Sequence, residues 1–167
     1  LIALVGGKDR VQDPAASSVW EMVCFAISLL GLGIRAHAAS CAPKDTSGRN
    51  VKEQRAAVLN TTGLYSITRN PLYLGNFFIW LGVALFLKTW WLVGATALIF
   101  WFYYEKIIFA EEEFLRRKFG EDFLAWTRQT PVLFPTKPDL WRPPALSFEM
   151  RNALRREYSG FFGSGWV

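Results

Sequence analysis

Long uncharged runs separated by blocks of charge are the feature of this sequence that most restricts its fold. The stretch from Val19 to Ala39 is almost wholly apolar or small, and two further apolar runs follow at 72–87 and 90–104. Apolar residues make up 51% of the 167 residues, whereas charged residues make up only 20%. Charges kept out of long apolar runs are typical of membrane helices rather than of a soluble globule.

The three runs predict about three membrane spans at 19–39, 72–87 and 90–104. In the first run the charged residues lie near the ends, where long side chains can reach the membrane interface. Each of the other two is shorter than the roughly 20 residues of a full span. Because only Lys88 and Thr89 separate them, they are predicted to form a helical hairpin. The predicted fold class is an all-α integral membrane helical bundle, with residues 1–167 forming a single domain.

The chain changes character after the hairpin. Residues 106–128 combine charges with apolar residues at spacings of three and four, which predicts an amphipathic helix broken at Gly120. Five prolines between residues 131 and 144 predict an extended linker. Residues 136–167 are predicted to form a basic amphipathic tail in the cytosolic C-terminal region.

The distribution of positive charge predicts the orientation. If the hairpin goes out and returns, the loop 40–70 and the chain after Tyr104 lie on the same side of the membrane. These two segments carry most of the lysines and arginines, which places them in the cytoplasm, most simply beneath a bacterial inner membrane. Topology and anionic lipids also explain the net charge of +5, so no nucleic-acid partner is expected.

The sequence contains few residues that could form a metal site. The chain contains one histidine and two cysteines, Cys24 and Cys41, and no CxxC pair. Structural zinc sites need four such ligands at defined spacings. No metal site is therefore predicted.

The first block of candidate site residues runs from Gly63 to Gly75 and includes Arg69, Asn70 and Tyr73. In the simpler interpretation it only marks the membrane interface, where proline begins a helix and arginine and tyrosine contact headgroups. In the functional interpretation Arg69 holds an anion and Asn70 supplies a hydrogen-bonding amide, both directed into a pocket by the start of a helix.

The second block is Glu111-Glu112-Glu113. Runs of charge usually form a solvated face. However, Glu111 and Glu112 follow closely on the apolar residues of the third predicted span, so they lie near its exit from the membrane. Carboxylates at that position could hold the hydroxyls or the positive charge of a cofactor.

Taken together, the two blocks resemble a known membrane family. Gly63-x-Tyr65-x-x-x-Arg69-Asn70-Pro71-x-Tyr73-x-Gly75 resembles the signature GxYxxxRHPxYxG, and the chain from Glu111 to Pro135 resembles the tail EExxL…FGxxY…P. This is the isoprenylcysteine carboxyl methyltransferase and phospholipid methyltransferase superfamily, and the match covers residues 60–135.

The resemblance implies S-adenosylmethionine as the methyl donor and a lipid or lipidated acceptor that enters from the bilayer. It also implies a site that faces the cytoplasm. The implied cofactor-binding residues are Tyr65, Asn70, Pro71, Tyr73, Gly75, Glu111 and Glu112. The implied catalytic residues are Arg69, Glu111 and Glu112.

Two departures from the signature bear on the reaction. Asn70 replaces the family histidine and Phe123 replaces a tyrosine. Asparagine does not titrate near neutrality, so a proton-shuttle role is lost while cofactor positioning is retained. A carboxylate or phosphate acceptor is already ionised at neutral pH and needs no strong base, so the missing histidine favours an anionic oxygen acceptor held by Arg69. Among such acceptors, the resemblance implies carboxyl O-methylation of the isoprenylcysteine type first.

Two alternatives to carboxyl methylation stay open. The first is methylation of a lipid headgroup, either a lipid A phosphate or a phospholipid amine. The stretches 46–49 and 157–162 resemble those of bacterial members that act on lipid A phosphate. The second is a non-catalytic membrane scaffold or interaction protein. The sequence does not indicate an oligomeric state.

Overall fold

The computed structural model describes residues 14–41 and 58–145, with the side chains of α1 described from Ser17 onward. Its helices are α1 (Pro14–Ser40), α2 (Pro71–Phe86) and α3 (Trp90–Gln129), and short 3-10 helices form at Leu64–Ser66 and Pro138–Leu140. Within these residues no β-strand forms, and an isolated antiparallel bridge joins Gly63 to Arg142. The predicted all-α fold class is confirmed.

The apolar runs account for the positions of the helices. The predicted first helix at 19–39 lies within α1, the run at 72–87 corresponds to α2, and α3 begins at the start of the third run. Between α2 and α3 the chain reverses at Lys88, which has a φ of 52°, and at Thr89, which is extended. The hairpin turn therefore lies at the two polar residues that separate the runs.

The third helix is longer than the sequence pattern suggests. A separate amphipathic helix was expected after the third run, but α3 continues through the charged residues for 40 residues. No proline or glycine lies between Ala95 and Phe119, so nothing interrupts the helix where its charges begin. The helical geometry is first lost at Gly120 (φ 52°, ψ −121°), the position at which a break was expected.

Among the described residues, two helices are long and apolar enough to cross a membrane. They are Ser17–Ser40, which contains an 18-residue stretch with a mean hydropathy of 1.7, and Trp90–Gln129, which contains an 18-residue stretch with a mean hydropathy of 1.4. Large apolar side chains on both helices are exposed, among them Phe25 and Phe102. A helix from a soluble core would bury such side chains, whereas a membrane helix presents them to lipid. These exposed faces indicate an integral membrane protein.

Helix length shows which part of α3 lies outside the membrane. The uninterrupted part of α3, from Trp90 to the break at Gly120, is about 45 Å long, which is roughly one and a half times the thickness of the hydrocarbon core. The charged half, residues 105–129, therefore extends beyond the apolar part at 90–104. By contrast, α2 has only 16 residues and is short for a crossing, so the third span stays a prediction.

Close contact between α1 and α2 depends on glycine. A Cβ atom added to Gly31 would lie 2.5 Å from the carbonyl oxygen of Gly75, and one added to Gly75 would lie 2.7 Å from that of Gly31. Small residues let the backbones of membrane helices approach in this way. Across the same interface, Ser28 donates a hydrogen bond to the carbonyl of Ile79 at 3.4 Å.

The buried core lies where α2, α3 and the chain after α3 meet. Its centre consists of Leu74, Phe100 and Leu133. The ring of Phe77 lies 5.3 Å from that of Phe100 and 5.5 Å from that of Phe134. This cluster fixes the first turn of α2 against α3. About two thirds of the predicted basic tail, residues 146–167, lies outside the described residues, as does about half of the loop 40–70.

Candidate functional site

The first candidate block bends into the start of α2. Gly63 has a φ of 59°, which favours glycine, and Leu64–Ser66 forms a single 3-10 turn. Pro71 occupies the start of α2, where its missing N–H costs nothing. The bend brings the side chains that follow Ser66 to one end of the helix pair.

Three consecutive carbonyl groups after α3 hold this block in place. The backbone N–H of Arg69 donates to Pro131 at 2.9 Å, and the side-chain amide of Asn70 donates to Val132 at 3.0 Å. The hydroxyl of Thr68 donates to the carbonyl of Leu133 at 2.7 Å. We refer to residues 131–134 as the strap. Because Thr68 is fully buried, its hydrogen bond to the strap is protected from water.

An ion pair joins the two candidate blocks. Nη1 of Arg69 lies 2.9 Å from Oε2 of Glu112, and the two side chains are 14% and 26% exposed. Exposed pairs contribute little, but a pair this sheltered is costly to break because one charge is left without its partner. The residues are 43 positions apart in sequence, and the ion pair fixes α3 against the start of α2.

Two atoms of the same ion pair have no hydrogen-bond partner within the described residues. They are Nε of Arg69 and Oε1 of Glu112, both inaccessible to solvent. Buried polar atoms without a partner are rare in native proteins because each costs desolvation free energy. Because neither atom is accessible in this conformation, a polar ligand that carries both an acceptor and a donor would pair with them only after the neighbouring side chains shift.

A second contact between the blocks lies one turn along α2. The hydroxyl of Tyr73 donates to Oε1 of Glu111 at 2.8 Å. The ring of Tyr73 packs on the ring of Tyr104, with 4.8 Å between their centroids. The neighbouring acids Glu111 and Glu112 therefore contact two different residues of the first block.

Electrostatics at the two carboxyls favour a positively charged ligand. Burial raises the pKa of Glu111 above its usual range, and the hydrogen bond from Tyr73 opposes this only in part. Burial also raises the pKa of Glu112, against the opposing effects of Arg69 and Asn70. Since burial disfavours the charged form of both groups, a bound cation would stabilise them as carboxylates.

A polar chain that was not predicted from the sequence links α1, α2 and α3. Arg35 of α1 is 9% exposed and donates to the side-chain oxygen of Asn76 on α2. The amide nitrogen of Asn76 donates to the hydroxyl of Tyr104 on α3 at 2.8 Å. From the sequence, Arg35 is one of the charged residues near the ends of the first apolar run, whose side chains are predicted to reach the membrane interface. The one signal in the sequence is Asn76, a strongly polar residue within an apolar run.

The remaining predicted residues differ in their surroundings. The carbonyl of Tyr65 accepts a hydrogen bond from the indole of Trp126 at 3.2 Å, which fixes the 3-10 turn against the end of α3. Pro71 is buried. Gly75 faces α1, where an added Cβ would lie 2.6 Å from Cγ of Arg35. Packing thus accounts for this glycine, and its contact with a cofactor stays a prediction.

Residues 21–122 match the family model described as phospholipid methyltransferase. The matched range holds both candidate blocks and the ion pair between them. The chain belongs to this family. The sequence-based resemblance to the isoprenylcysteine carboxyl methyltransferase and phospholipid methyltransferase superfamily is thereby confirmed.

Two relatives of this phospholipid methyltransferase family member are named for different functions. It is 30% identical over 135 residues to the nickel-cobalt-cadmium resistance protein NccN of Alcaligenes xylosoxydans xylosoxydans, covering 81% of this chain and 59% of that one. It is 31% identical over 88 residues to the protein-S-isoprenylcysteine O-methyltransferase of Schizosaccharomyces pombe, covering 52% and 37%. The chain thus spans less than two thirds of the length of these relatives.

A solved structure shares the fold of this family member. The eukaryotic intramembrane Ras methyltransferase ICMT (isoprenylcysteine carboxyl methyltransferase) matches with a TM-score of 0.58 and 23% sequence identity. The match covers 72% of this chain and 44% of that one. At this identity the likeness shows the membrane fold alone.

Proposed function

We propose that this protein is a methyltransferase that transfers the methyl group of S-adenosylmethionine to a lipophilic acceptor taken from the membrane. The observation that carries the proposal is the Arg69–Glu112 ion pair, with one open donor and one open acceptor. Both atoms are buried, lack a partner within the described residues and lie between the two blocks. Membership of the phospholipid methyltransferase family supports the reaction class.

The residues present fit this methyl donor. The N–H at Nε of Arg69 matches the carboxylate of an amino acid, and Oε1 of Glu112 matches an ammonium or ribose hydroxyl. When bound, S-adenosylmethionine supplies an electrophilic methyl group on a positively charged sulfur. The carboxylates of Glu111 and Glu112 balance positive charge, and their sheltered position strengthens that interaction.

The contribution of the protein is mainly to position groups and exclude water. The strap and the ion pair fix the side chains of Arg69 and Tyr73 before a ligand binds. Fixed geometry at the reacting atoms is the main source of acceleration in a transfer that needs no covalent help from the protein. Arg69, Glu111 and Glu112 are the proposed catalytic residues, and Tyr65, Asn70 and Tyr73 the further cofactor contacts.

An anionic oxygen is the acceptor that these residues favour. Asn70 cannot act as a base, and Arg35 places a second buried positive charge between α1 and α2. A carboxylate or a phosphate needs no base at neutral pH. Carboxyl O-methylation of the isoprenylcysteine type is the first candidate because a relative named protein-S-isoprenylcysteine O-methyltransferase is 31% identical over 88 residues. The charged end of α3 and the site are proposed to face the cytoplasm beneath a bacterial inner membrane.

Methylation of a lipid headgroup is the second candidate, because the matching family model is described as phospholipid methyltransferase. A phosphate acceptor would need the same positive charge as a carboxylate. An amine acceptor would first have to lose a proton, and Glu111 or Glu112 would then act as the base. Base-stable methylated amines would distinguish this reaction from ester formation.

Calorimetric titration of S-adenosylmethionine into the detergent-purified protein tests the donor site. Glu112→Gln removes a charge at the open acceptor and is expected to weaken binding at least tenfold, about 1.4 kcal/mol or more. Glu113→Gln is the matched control, because Glu113 pairs only weakly with Arg117 at 3.6 Å on an exposed surface. No binding to the wild-type protein would favour a non-catalytic scaffold, whereas equal binding by Glu112→Gln would refute the contact assigned to Glu112.

A further inference from the structure

The last turn of α1 carries two metal-ligating side chains that the candidate site does not use. Nε2 of His37 lies 4.0 Å from Sγ of Cys41. The residues are four positions apart, so their side chains lie on the same face of the turn. Cys41 is 5% exposed. A buried thiol and a partly exposed imidazole therefore face each other at the end of α1.

Neighbouring contacts hold this pair in position. The backbone N–H of Cys41 donates to the carbonyl of His37 at 3.2 Å, and the hydroxyl of Ser40 donates to the same carbonyl at 3.0 Å. The imidazole ring stacks on the indole of Trp141, with 6.4 Å between centroids and 29° between planes. Ring stacking on one face and a closed helical turn preorganise the two ligands.

We propose that His37 and Cys41 form a two-ligand site for one thiophilic cation. Thiolate and imidazole are the protein ligands that suit borderline and soft metal ions. In tetrahedral zinc sites the bond lengths place a ligating sulfur and nitrogen about 3.6 Å apart. The present separation of 4.0 Å therefore needs to close only slightly, and a larger soft cation would require less closure.

The chemistry of the pair predicts exchangeable binding. Cys41 releases its proton to solvent when its sulfur ligates the cation, so binding strengthens as pH rises. Among the described residues no group of three or more His, Cys, Asp or Glu side chains surrounds a common point. Two protein ligands leave coordination positions open to water, unlike the closed four-ligand sites that stabilise folds.

Cobalt titration of the detergent-purified full chain tests the site directly. A thiolate-to-cobalt charge-transfer band is expected in the wild-type protein, saturating at one ion per chain, and it should vanish in Cys41→Ser. His37→Gln should weaken the apparent affinity by more than about tenfold, the minimum cost of losing even an outer-shell partner. A band that persists in Cys41→Ser, or no band in the wild type, would overturn the proposal.

Cys24 provides the matched control. It is the other of the two cysteines, lies on the same helix and is 1% exposed. Cys24→Ser should keep the cobalt band, and loss of the band in this variant would assign the metal to the wrong thiol and refute the site.

A second measurement does not depend on the spectrum. In Cys24→Ser, Cys41 is the one remaining thiol, so its rate of maleimide modification can be followed alone. Cobalt is expected to slow this rate at least about tenfold, because the bound thiolate is no longer nucleophilic, and His37→Gln should abolish most of the protection. Equal rates with and without cobalt would contradict the proposal. Neither measurement involves S-adenosylmethionine, so both are independent of the proposed methyl transfer.

Discussion

Replacing Gly31 by alanine tests the contact that sets the spacing of α1 and α2. The added Cβ would lie 2.5 Å from the carbonyl oxygen of Gly75 and 2.8 Å from the backbone nitrogen of Ile79. Both neighbours are backbone atoms, so a side-chain rotation cannot relieve the overlap. The helices would have to move apart, and the polar chain through Arg35 would be disturbed.

The expected loss of stability is measured against Gly33→Ala, in which an added Cβ has nothing within 4 Å. Alanine is favoured over glycine in a helix by about 1 kcal/mol, and this gain is common to both variants. Overpacking costs about 1–3 kcal/mol. Since the overlap at Gly31 involves backbone, the expected difference between the variants is about 2–3 kcal/mol, or roughly 4–12 °C for a chain of this size.

Thermal unfolding in detergent, followed by the fluorescence of the eight tryptophans, measures this difference. Gly31→Ala should unfold at a lower temperature than the wild-type protein, and Gly33→Ala at the same temperature or slightly above it. If Gly31→Ala unfolds at or above the temperature of Gly33→Ala, the close backbone contact between α1 and α2 does not exist.

Three further predictions concern the site. Tyr73→Phe leaves Glu111 without its 2.8 Å donor and should lower the free energy of unfolding by about 1.5–3 kcal/mol, measured by denaturant titration. Burial raises the pKa of Glu111, so this carboxyl contributes stability at low pH that is lost as pH rises through its folded pKa. The unfolding temperature of the wild-type protein should therefore rise as the pH falls from 7 to about 4.5, and that of Glu111→Gln should rise less. An unchanged pH profile in Glu111→Gln would contradict the raised pKa. Trp126→Phe removes the donor to Tyr65 and should cost about 1 kcal/mol; an unchanged unfolding temperature would refute that contact.

Much of the fold was predictable because a long apolar run is by itself nearly sufficient to specify a membrane helix. The positions of α1 and α2, the turn at Lys88 and the loss of helix at Gly120 all follow from local composition. The full length of α3 did not, because the change from apolar to charged residues at Glu105 resembles a boundary. A helix ends where its backbone is interrupted, and a change of solvent does not interrupt it.

The candidate site was predictable as two blocks but not as pairs of atoms. Topology placed Arg69 and the glutamates on one side of the membrane, which made a shared site reasonable. The rotation of α3 about its axis decides whether Glu111 or Glu112 contacts Arg69, and which of them contacts Tyr73. Packing around Phe100 sets that rotation, and no local pattern in the sequence reports it.

The strap and the Arg35 chain were missed for different reasons. The strap contributes backbone carbonyls of Pro131, Val132 and Leu133, which any sequence would supply. The family resemblance extends to Pro135, but no side chain indicates that these carbonyls contact the first block. Arg35 lies close to Asn76 because glycine contacts bring α1 and α2 together. A charge near the end of an apolar run looks the same in sequence whether it meets lipid headgroups or a neighbouring helix.

The most direct test of the account is transfer of labelled methyl groups from S-adenosylmethionine by the purified chain. Prenylcysteine and a total lipid extract are offered in parallel, with wild-type protein, Glu112→Gln and the Glu113→Gln control. Base-labile label is expected in one of the two acceptors, and it should be lost in Glu112→Gln and kept in Glu113→Gln. Label only in base-stable lipid amines would contradict the oxygen acceptor, and no transfer to either preparation would contradict the proposed activity.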